Sequence, residues 1–222
     1  MEISYLGHSS FRLRAQNGMV LITDPFEANK VGLSYPKQKA DIVTVSHDHS
    51  DHNVVENITG ALKREEVFVI DQAGEYEVGG MEVSAVGLYH DKKRGRERGV
   101  SLAMIIRADG VSVCHLGDLG HDLTNKQVNL LGDIDVLLIP IGGVYTIDEK
   151  EAGILMNKLG ASMVIPMHYK RKGMGKEFKD LSTVEDFLDK NNLSVGEKLD
   201  KIKVNPSDLS ENVQVVVMND RS

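Results

Sequence analysis

Short apolar runs separated by turn residues dominate the hydrophobic pattern of this chain. Runs of this length that are rich in β-branched residues predict strands. They cover residues 18–23, 41–46, 67–70, 81–86, 101–107, 111–116, 135–141, 162–167 and 213–218. Two of these runs flank Asp109-Gly110, a dipeptide that favours a two-residue hairpin turn. The runs at 135–141 and 162–167 are apolar throughout, which is typical of strands buried on both faces.

Helical patterns lie between the strands. Residues 148–159 carry apolar side chains at close to 3.6-residue spacing, as in a helix with one buried face. Ser182 and Glu185 have the spacing of a capping box and predict a helix that starts at Ser182. Residues 53–63 predict a further helix. Strands with interspersed helices indicate an α/β protein in one domain, residues 1–222, with helices covering the faces of its sheets.

Composition restricts the class of protein. The 222 residues suffice for one sizeable core, and no segment approaches the ~20 apolar residues of a membrane span. The first residues lack an apolar signal core. The single cysteine, Cys114, excludes an intramolecular disulfide and is expected to be a small buried apolar side chain. We therefore expect a cytoplasmic protein outside the membrane, while the sequence leaves its oligomeric state open.

Residues 47–52, His-Asp-His-Ser-Asp-His, hold three of the eight histidines and directly follow the strand at 41–46. Imidazole and carboxylate groups are ligands that zinc, manganese, iron and nickel accept. The alternatives are a solvated polar loop or an isolated structural metal site. Tight clustering of the histidines at a strand end favours a functional metal site.

Three further candidate ligands follow strands elsewhere in the chain. Asp118 comes after the strand at 111–116, His168 follows the strand at 162–167, and His90 follows the strand that starts at Met81. An α/β fold builds sites at one edge of its sheets, where strand ends meet. Placement of a candidate ligand at several strand ends therefore predicts one shared site.

The pattern as a whole resembles the metallo-β-lactamase superfamily, most closely its small bacterial hydrolases related to ascorbate-6-phosphate lactonase. The resemblance rests on His47, His49, Asp51 and His52 in the hexapeptide, Asp24 in Leu-Ile-Thr-Asp-Pro, Asp118 in Leu-Gly-Asp, and His168. It covers nearly the whole chain. It implies an αββα four-layer sandwich with two metal ions at one edge, but it does not specify a substrate.

The resemblance also implies a role for each residue. One metal would be bound by His47, His49 and His90, the other by Asp51, His52 and His168, with Asp118 bridging both. Asp24 would hydrogen-bond a ligand histidine. Asp51 and Asp118 would be the catalytic carboxylates. The departure from the family pattern is at His90, which follows His52 by fewer residues than in many members and adjoins a charged loop.

Other polar residues lie outside the ligand set in this scheme. His115 lies three residues before Asp118, so on a strand it points to the opposite face and is expected in the core or behind a ligand. His121 is expected at the surface. His8 is either a surface loop residue or part of the substrate pocket, and Tyr145 follows a strand in a glycine-rich loop that could reach a substrate.

Basic residues crowd two segments of an otherwise acidic chain, whose net charge is −7. These clusters are Lys92, Lys93, Arg94, Arg96 and Arg98, and Lys170, Arg171, Lys172 and Lys176. Each directly follows a proposed ligand. We expect Lys92 and Lys93 to attract an anionic substrate, a small molecule or short nucleic acid. The alternative is that the clusters only aid solubility.

We therefore expect a hydrolase with a dinuclear centre and a bridging hydroxide, since bound metal lowers the pKa of water toward ~7. Zinc is the first expectation for both ions, with manganese, nickel and iron as alternatives. A phosphodiester or nucleic-acid substrate ranks first, followed by the lactone of a phosphorylated sugar acid, with weak β-lactamase activity last. A metal-binding or ligand-sensing module and a di-iron redox protein are the remaining alternatives.

Overall fold

The computed structural model describes residues 1–61, 66–210 and 212–219. Its strands are β1 Glu2–Gly7, β2 Ser10–Arg14, β3 Val20–Thr23, β4 Gln38–Ala40, β5 Ile42–Thr44, β6 Ile58–Gly60, β7 Phe68–Ile70, β8 Gly74–Val78, β9 Met81–Tyr89, β10 Val100–Ala108, β11 Val111–His115, β12 Val136–Pro140, β13 Met163–Met167, β14 Ile202–Lys203 and β15 Gln214–Val215. Its α-helices are α1 Ala28–Val31, α2 Asn125–Leu131, α3 Glu149–Leu159 and α4 Val184–Lys190. Short 3-10 turns cover Val55–Asn57, Lys176–Phe178 and Pro206–Asp208.

Two mixed sheets form the centre of the fold. The first has the strand order β14-β1-β2-β3-β5-β7 and the second β15-β13-β12-β11-β10-β9-β8. Strands β3, β5 and β7 are parallel in the first sheet, as are β11, β12, β13 and β15 in the second. Parallel neighbours bring the carboxyl ends of their strands to the same edge of a sheet, and this is where the predicted ligands lie.

The side chains of the first sheet alternate between two cores. Tyr5 and Leu21 face the second sheet and join the main apolar core with residues such as Met104. Leu6 and Ile22 face the other way, into a smaller cluster closed by the β4–β6 pair. On the outside of the second sheet, α3 packs against β12 and α4. The layering confirms the predicted α/β fold, although the described outer layer over the first sheet is mainly a small two-stranded sheet.

Several predicted elements are confirmed. Asp109 and Gly110 have φ of 57° and 74° in the β10–β11 turn, as a two-residue turn of this type requires. Strand β12 is buried along its whole length between two parallel neighbours. Helix α3 starts after the N-cap Asp148 and ends at Gly160, whose φ of 64° closes the helix in the left-handed region.

Two helix predictions need correction. The helix predicted over 53–63 is wrong within the described residues, because the chain forms a 3-10 turn at Val55–Asn57 and then pairs Ile58–Gly60 with β4. Residues 62 and 63 lie outside the described residues. The N-cap of α4 is Thr183 rather than Ser182, because the Ser182 hydroxyl donates instead to Glu149 at 2.9 Å. The pattern also failed to indicate β1, β2 and α2.

No helix among residues 1–61, 66–210 and 212–219 has the length and apolarity needed to cross a membrane.

Candidate metal centre

The carboxylate of Asp118 lies at the centre of a histidine cluster. Its Oδ2 atom lies 3.2 Å from Nε2 of His168, 3.4 Å from Nε2 of both His52 and His90, and 3.9 Å from Nε2 of His47. These residues come from loops after β5, β9, β11 and β13, so four strand ends contribute to one cluster. One carboxylate oxygen that faces four imidazole nitrogens has the arrangement of a shared ligand.

The remaining candidate ligands divide into two groups around Asp118. In each group one nitrogen or oxygen atom per residue lies within 4.8 Å of the others. The groups are His47, His49 and His90, and Asp51, His52 and His168 together with His8, which was not a predicted ligand. Asp118 itself forms a group with His47 and His52. The structure thus brings together all seven residues predicted to bind metal. Their individual roles as ligands stay a prediction.

Buried atoms without partners show whether this cluster fits metal ions. The carboxylate atom Asp118 Oδ1 has no hydrogen-bond partner among the described residues. Nε2 of His52 and Nε2 of His168 approach Asp118 Oδ2 without hydrogen-bond geometry. Buried polar atoms left in this state cost roughly 1–3 kcal/mol each. Divalent cations would satisfy all three atoms, and mixed nitrogen and oxygen donors suit such ions. The residues present therefore fit a metal centre.

Asp24 and Ser46 orient two of the histidines. Asp24 Oδ2 accepts a hydrogen bond from His52 Nδ1 at 2.8 Å and another from the Ser46 hydroxyl at 2.7 Å. Asp24 Oδ1 accepts from the backbone N–H of Ser46 at 2.8 Å. The Ser46 oxygen can then accept from His47 Nδ1 at 2.9 Å. These contacts hold a ring proton on Nδ1 of each histidine, so that Nε2 is the atom that faces the cluster.

The contact between Ser46 and His47 was not predicted from the sequence. The sequence feature that pointed to it was the position of Ser46 between strand β5 and His47.

Electrostatics keep most of the cluster in the forms that bind metal. Burial raises the pKa of Asp118, but the neighbouring His168 and His52 outweigh this effect and hold the pKa well below its usual range. Burial, together with His52, lowers the pKa of His47 to about 3. His52 is the exception, because Asp118 and Asp51 outweigh burial and raise its pKa. Metal binding should therefore release a proton from His52.

An open cavity of about 250 Å³ gives access to the cluster. Tyr145 lies at its rim, where its hydroxyl donates to the backbone oxygen of Glu177 at 2.9 Å. The described residues that line the cavity are Lys30, His49, Asp51, His90, Arg98, Asp118, Tyr145, His168, Glu177 and Phe178. Lys30, Glu177 and Phe178 were not predicted from the sequence, and Arg98 was named there only as a member of the basic cluster after His90.

Lys92 and Lys93 are not among the residues that line this cavity, so it gives no support to their predicted contact with substrate, which stays a prediction. Lys92 pairs with Glu151 at 2.5 Å, and Lys93 pairs with Glu97 at 2.6 Å, on the exposed surface. The member of the same basic segment that does reach the cavity is Arg98. Its guanidinium lies over the Tyr145 ring, 5.6 Å from the centroid.

Asp91 determines which way this basic loop faces. Its carboxylate accepts hydrogen bonds from the backbone N–H groups of four residues at 2.7–2.9 Å; the donors are Lys93, Gly95, Glu97 and Arg98. Burial raises the pKa of Asp91, but these donors outweigh it and hold the pKa at about 2. The loop thus folds around the Asp91 side chain. Arg98 faces the cavity as a result, while Lys92 and Lys93 face solvent.

The other histidines occupy distinct places. His115 is buried, and both ring nitrogens have partners, the backbone oxygen of Ser9 at 2.8 Å and the N–H of Gly117 at 3.1 Å. His121 bonds the backbone near the surface. His8 is fully buried, which excludes the surface alternative, yet it does not line the cavity either. It lies behind Asp51, with Nε2 at 3.2 Å from Asp51 Oδ2.

Comparisons with known proteins agree with this geometry. Residues 2–168 match the model of the Beta-lactamase superfamily domain. The UPF0173 metal-dependent hydrolase of Methanosphaera stadtmanae is 31% identical, over 76% of this chain and 84% of its own. A Thermotoga maritima protein assigned as a Zn-dependent hydrolase of the metallo-β-lactamase superfamily is 36% identical, with a TM-score of 0.78 over 98% of this chain and 97% of that one.

A likeness in fold alone extends to a metallo hydrolase of Ignicoccus hospitalis, which is 21% identical, with a TM-score of 0.67 over 92% of this chain and 99% of that one. The superfamily predicted from the hexapeptide is thus confirmed by the family model, by curated relatives and by solved structures. The chain belongs to the Beta-lactamase superfamily domain family and is a metal-dependent hydrolase of the metallo-β-lactamase type.

Proposed function

We propose that this hydrolase binds two divalent transition-metal ions and cleaves a small substrate that carries a phosphate group. Two groups of donors support two ions, because Asp118 Oδ2 lies 3.2–3.9 Å from histidines of both groups. Their nitrogen and oxygen atoms suit zinc first, with manganese, nickel and iron as alternatives. When bound, such ions supply Lewis acidity and make a water molecule a nucleophile near neutral pH. Asp51 lies in the cavity beside the ligand histidines, where it can orient that nucleophile.

The observation that carries the substrate class is a pair of cations at the cavity. Lys30 and Arg98 both line it, while Glu177 is the lining carboxylate outside the candidate ligand set. Lys30 donates to the Ser50 hydroxyl at 2.7 Å, next to the hexapeptide ligands. Two held cations beside a cationic metal pair attract an anion and bind phosphate oxygens by charge-assisted hydrogen bonds.

The size of the cavity favours a small substrate. At about 250 Å³ it is below the ~300–1,000 Å³ usual for drug-sized ligands, so it suits a compact molecule or the end of a short nucleic acid. A phosphodiester is the first candidate for the bond that is cleaved. The lactone of a phosphorylated sugar acid is the second, because a phosphorylated sugar ring has the size and charge that this cavity favours.

Metal analysis and a substrate panel test the proposal together. Elemental analysis would give metals per chain, and the same sample would be assayed with bis-nitrophenyl phosphate, a phosphorylated lactone, a neutral lactone and a cephalosporin. Each assay would be run with and without zinc, manganese and nickel. We expect close to two metals per chain and preference for the phosphate-bearing compounds. Fewer than two metals and no turnover after reconstitution would contradict the proposal.

Arg98→Gln and Lys30→Met should each weaken the binding of the anionic substrate. We expect KM to rise about 10-fold or more with a smaller change in kcat, because a hydrogen bond to a charged group contributes about 1.5–3 kcal/mol. Steady-state kinetics at low and high salt would measure this effect. Lys92→Gln is the matched control, since its cation lies in the same loop as Arg98 but outside the cavity. Equal KM values for all these variants would contradict a role of Lys30 and Arg98 in substrate binding.

A further inference from the structure

His8 occupies a strained turn that joins the two sheets. It lies between β1 and β2 with φ of 53°, a left-handed conformation that few non-glycine residues adopt. Its backbone oxygen accepts hydrogen bonds from the Tyr5 hydroxyl at 2.7 Å and from the backbone N–H of His168 at 2.9 Å. The turn of the first sheet is therefore attached to the end of β13 in the second sheet, at the residue that contributes a candidate ligand.

The His8 ring is held as firmly as its backbone. Its centroid lies 4.2 Å from that of His168, 5.2 Å from that of Phe178 and 6.1 Å from that of Phe26. The residue is fully buried, and among the described residues the hydrogen-bond partner of its Nε2 is Asp51 Oδ2 at 3.2 Å. Strain of about 1–3 kcal/mol persists where the surroundings over-determine a conformation, often at functional sites.

The other ring nitrogen indicates whether His8 donates or accepts the hydrogen bond with Asp51. Nδ1 of His8 is buried and has no hydrogen-bond partner among the described residues. A proton there would leave an orphaned buried N–H, which is rarer and more costly than an unused lone pair. The proton therefore belongs on Nε2, which donates to Asp51. A nitrogen that carries a proton cannot bind a metal ion.

We propose that His8 is a positioning residue whose Nε2–H group holds the Asp51 carboxylate in place for the metal ion that Asp51, His52 and His168 bind. This inference rests on the metal centre proposed above. It explains why an imidazole lies so near the ligands yet outside the cavity. Partners of this kind typically change metal affinity by about 10- to 100-fold.

Two substitutions separate the hydrogen bond from the fold. Asn tolerates the left-handed region, so His8→Asn should leave the metal-free protein folded, but its amide nitrogen lies near the position of Nδ1 and cannot reach Asp51. Gln places its amide nitrogen near the position of Nε2, so His8→Gln should keep the donor without the imidazole ring. His115→Gln is the control, because His115 is equally buried and does not contact Asp51.

The measurement is a zinc titration of the metal-free proteins against a chromophoric chelator, with melting temperatures recorded without metal. We expect His8→Asn to weaken the binding of one zinc ion by about 10- to 100-fold and His8→Gln to recover most of the loss. Unchanged affinity in His8→Asn would overturn the positioning role. Equal losses in both variants would also overturn it and indicate direct ligation by the ring. Wild-type protein that binds no zinc would instead contradict the metal centre itself.

Discussion

Asp118→Ala is expected to abolish hydrolysis, with a fall in kcat/KM of about 1,000-fold or more. Asp118 Oδ2 faces four imidazole nitrogens at 3.2–3.9 Å, so its removal takes away the proposed ligand that both metal ions share. Metal ions contribute several kcal/mol to transition-state stabilisation, and each 1.36 kcal/mol corresponds to a factor of ten in rate. Metal content measured on the same sample should fall from about two ions per chain to one or none.

A second carboxylate in the same loop provides the control for this variant. Asp122 is 70% exposed and pairs with Lys158 at 3.0 Å, so Asp122→Ala removes the same group from the loop between β11 and α2 without touching the cluster. An exposed pair of this kind contributes about 0–1 kcal/mol to stability. Full activity and unchanged metal content in Asp118→Ala would contradict the assignment of Asp118 as a shared ligand.

The ligand cluster could be predicted from the sequence because its information is local. Each candidate ligand directly follows an apolar run, and parallel strands bring those positions to one edge whatever the detailed register. The hexapeptide alone places His47, His49, Asp51 and His52 within six residues. Local patterns also made β12, β13 and α3 predictable. A continuous apolar run predicts a strand buried on both faces, and apolar residues at 3.6-residue spacing predict a helix.

The cavity rim could not be predicted in this way. Lys30 reaches the cavity from a helix of four residues, and Arg98 does so because the Asp91 carboxylate winds its loop. Nothing in the local pattern distinguishes Arg98 from Lys92 and Lys93. Which of these cations faces the cavity depends on four backbone hydrogen bonds to the Asp91 carboxylate.

Long-range pairing explains the other errors. Within the segment predicted as a helix, Ile58–Gly60 instead pair with β4, some twenty residues earlier in the chain, and such a partner overrides local propensity. The position of His8 depends on His168, which lies far along the chain, directly after β13 of the other sheet. The sequence therefore indicated the chemistry of the centre, and the family resemblance indicated Asp24 behind it. The contacts of Ser46 and His8 with the cluster were not predicted.

Substitution of Asp24 should have the largest effect on the fold. Asp24 is fully buried and accepts hydrogen bonds from His52 Nδ1, the Ser46 hydroxyl and the Ser46 backbone. In Asp24→Ala these donors lose their acceptor inside the protein. Removal of one partner of a buried, charged network costs about 3–5 kcal/mol. We expect the melting temperature of the metal-free protein to fall accordingly, as thermal denaturation in a chelator would show.

Asp24→Asn separates the role of Asp24 in metal binding from its role in the fold. The amide keeps the shape of the carboxylate and can still accept from the Ser46 backbone. Its NH₂ group, however, would face His52 Nδ1, which must then act as acceptor. The His52 proton would move to Nε2, the atom directed at Asp118, and block metal binding there. We expect a folded protein whose zinc affinity is at least about 10- to 100-fold lower.

Asp41→Asn is the matched control for this last variant. Asp41 is equally buried and accepts from the backbone N–H of Val20 at 2.9 Å, directly before β5 of the same sheet. Its described hydrogen bonds involve no histidine. Both variants neutralise a buried carboxylate, so a general loss of stability should appear in both. Loss of zinc affinity in Asp24→Asn alone would mean that Asp24 acts by fixing the tautomer of His52. Unchanged zinc affinity in Asp24→Asn would show that His52 does not need this carboxylate in order to bind metal.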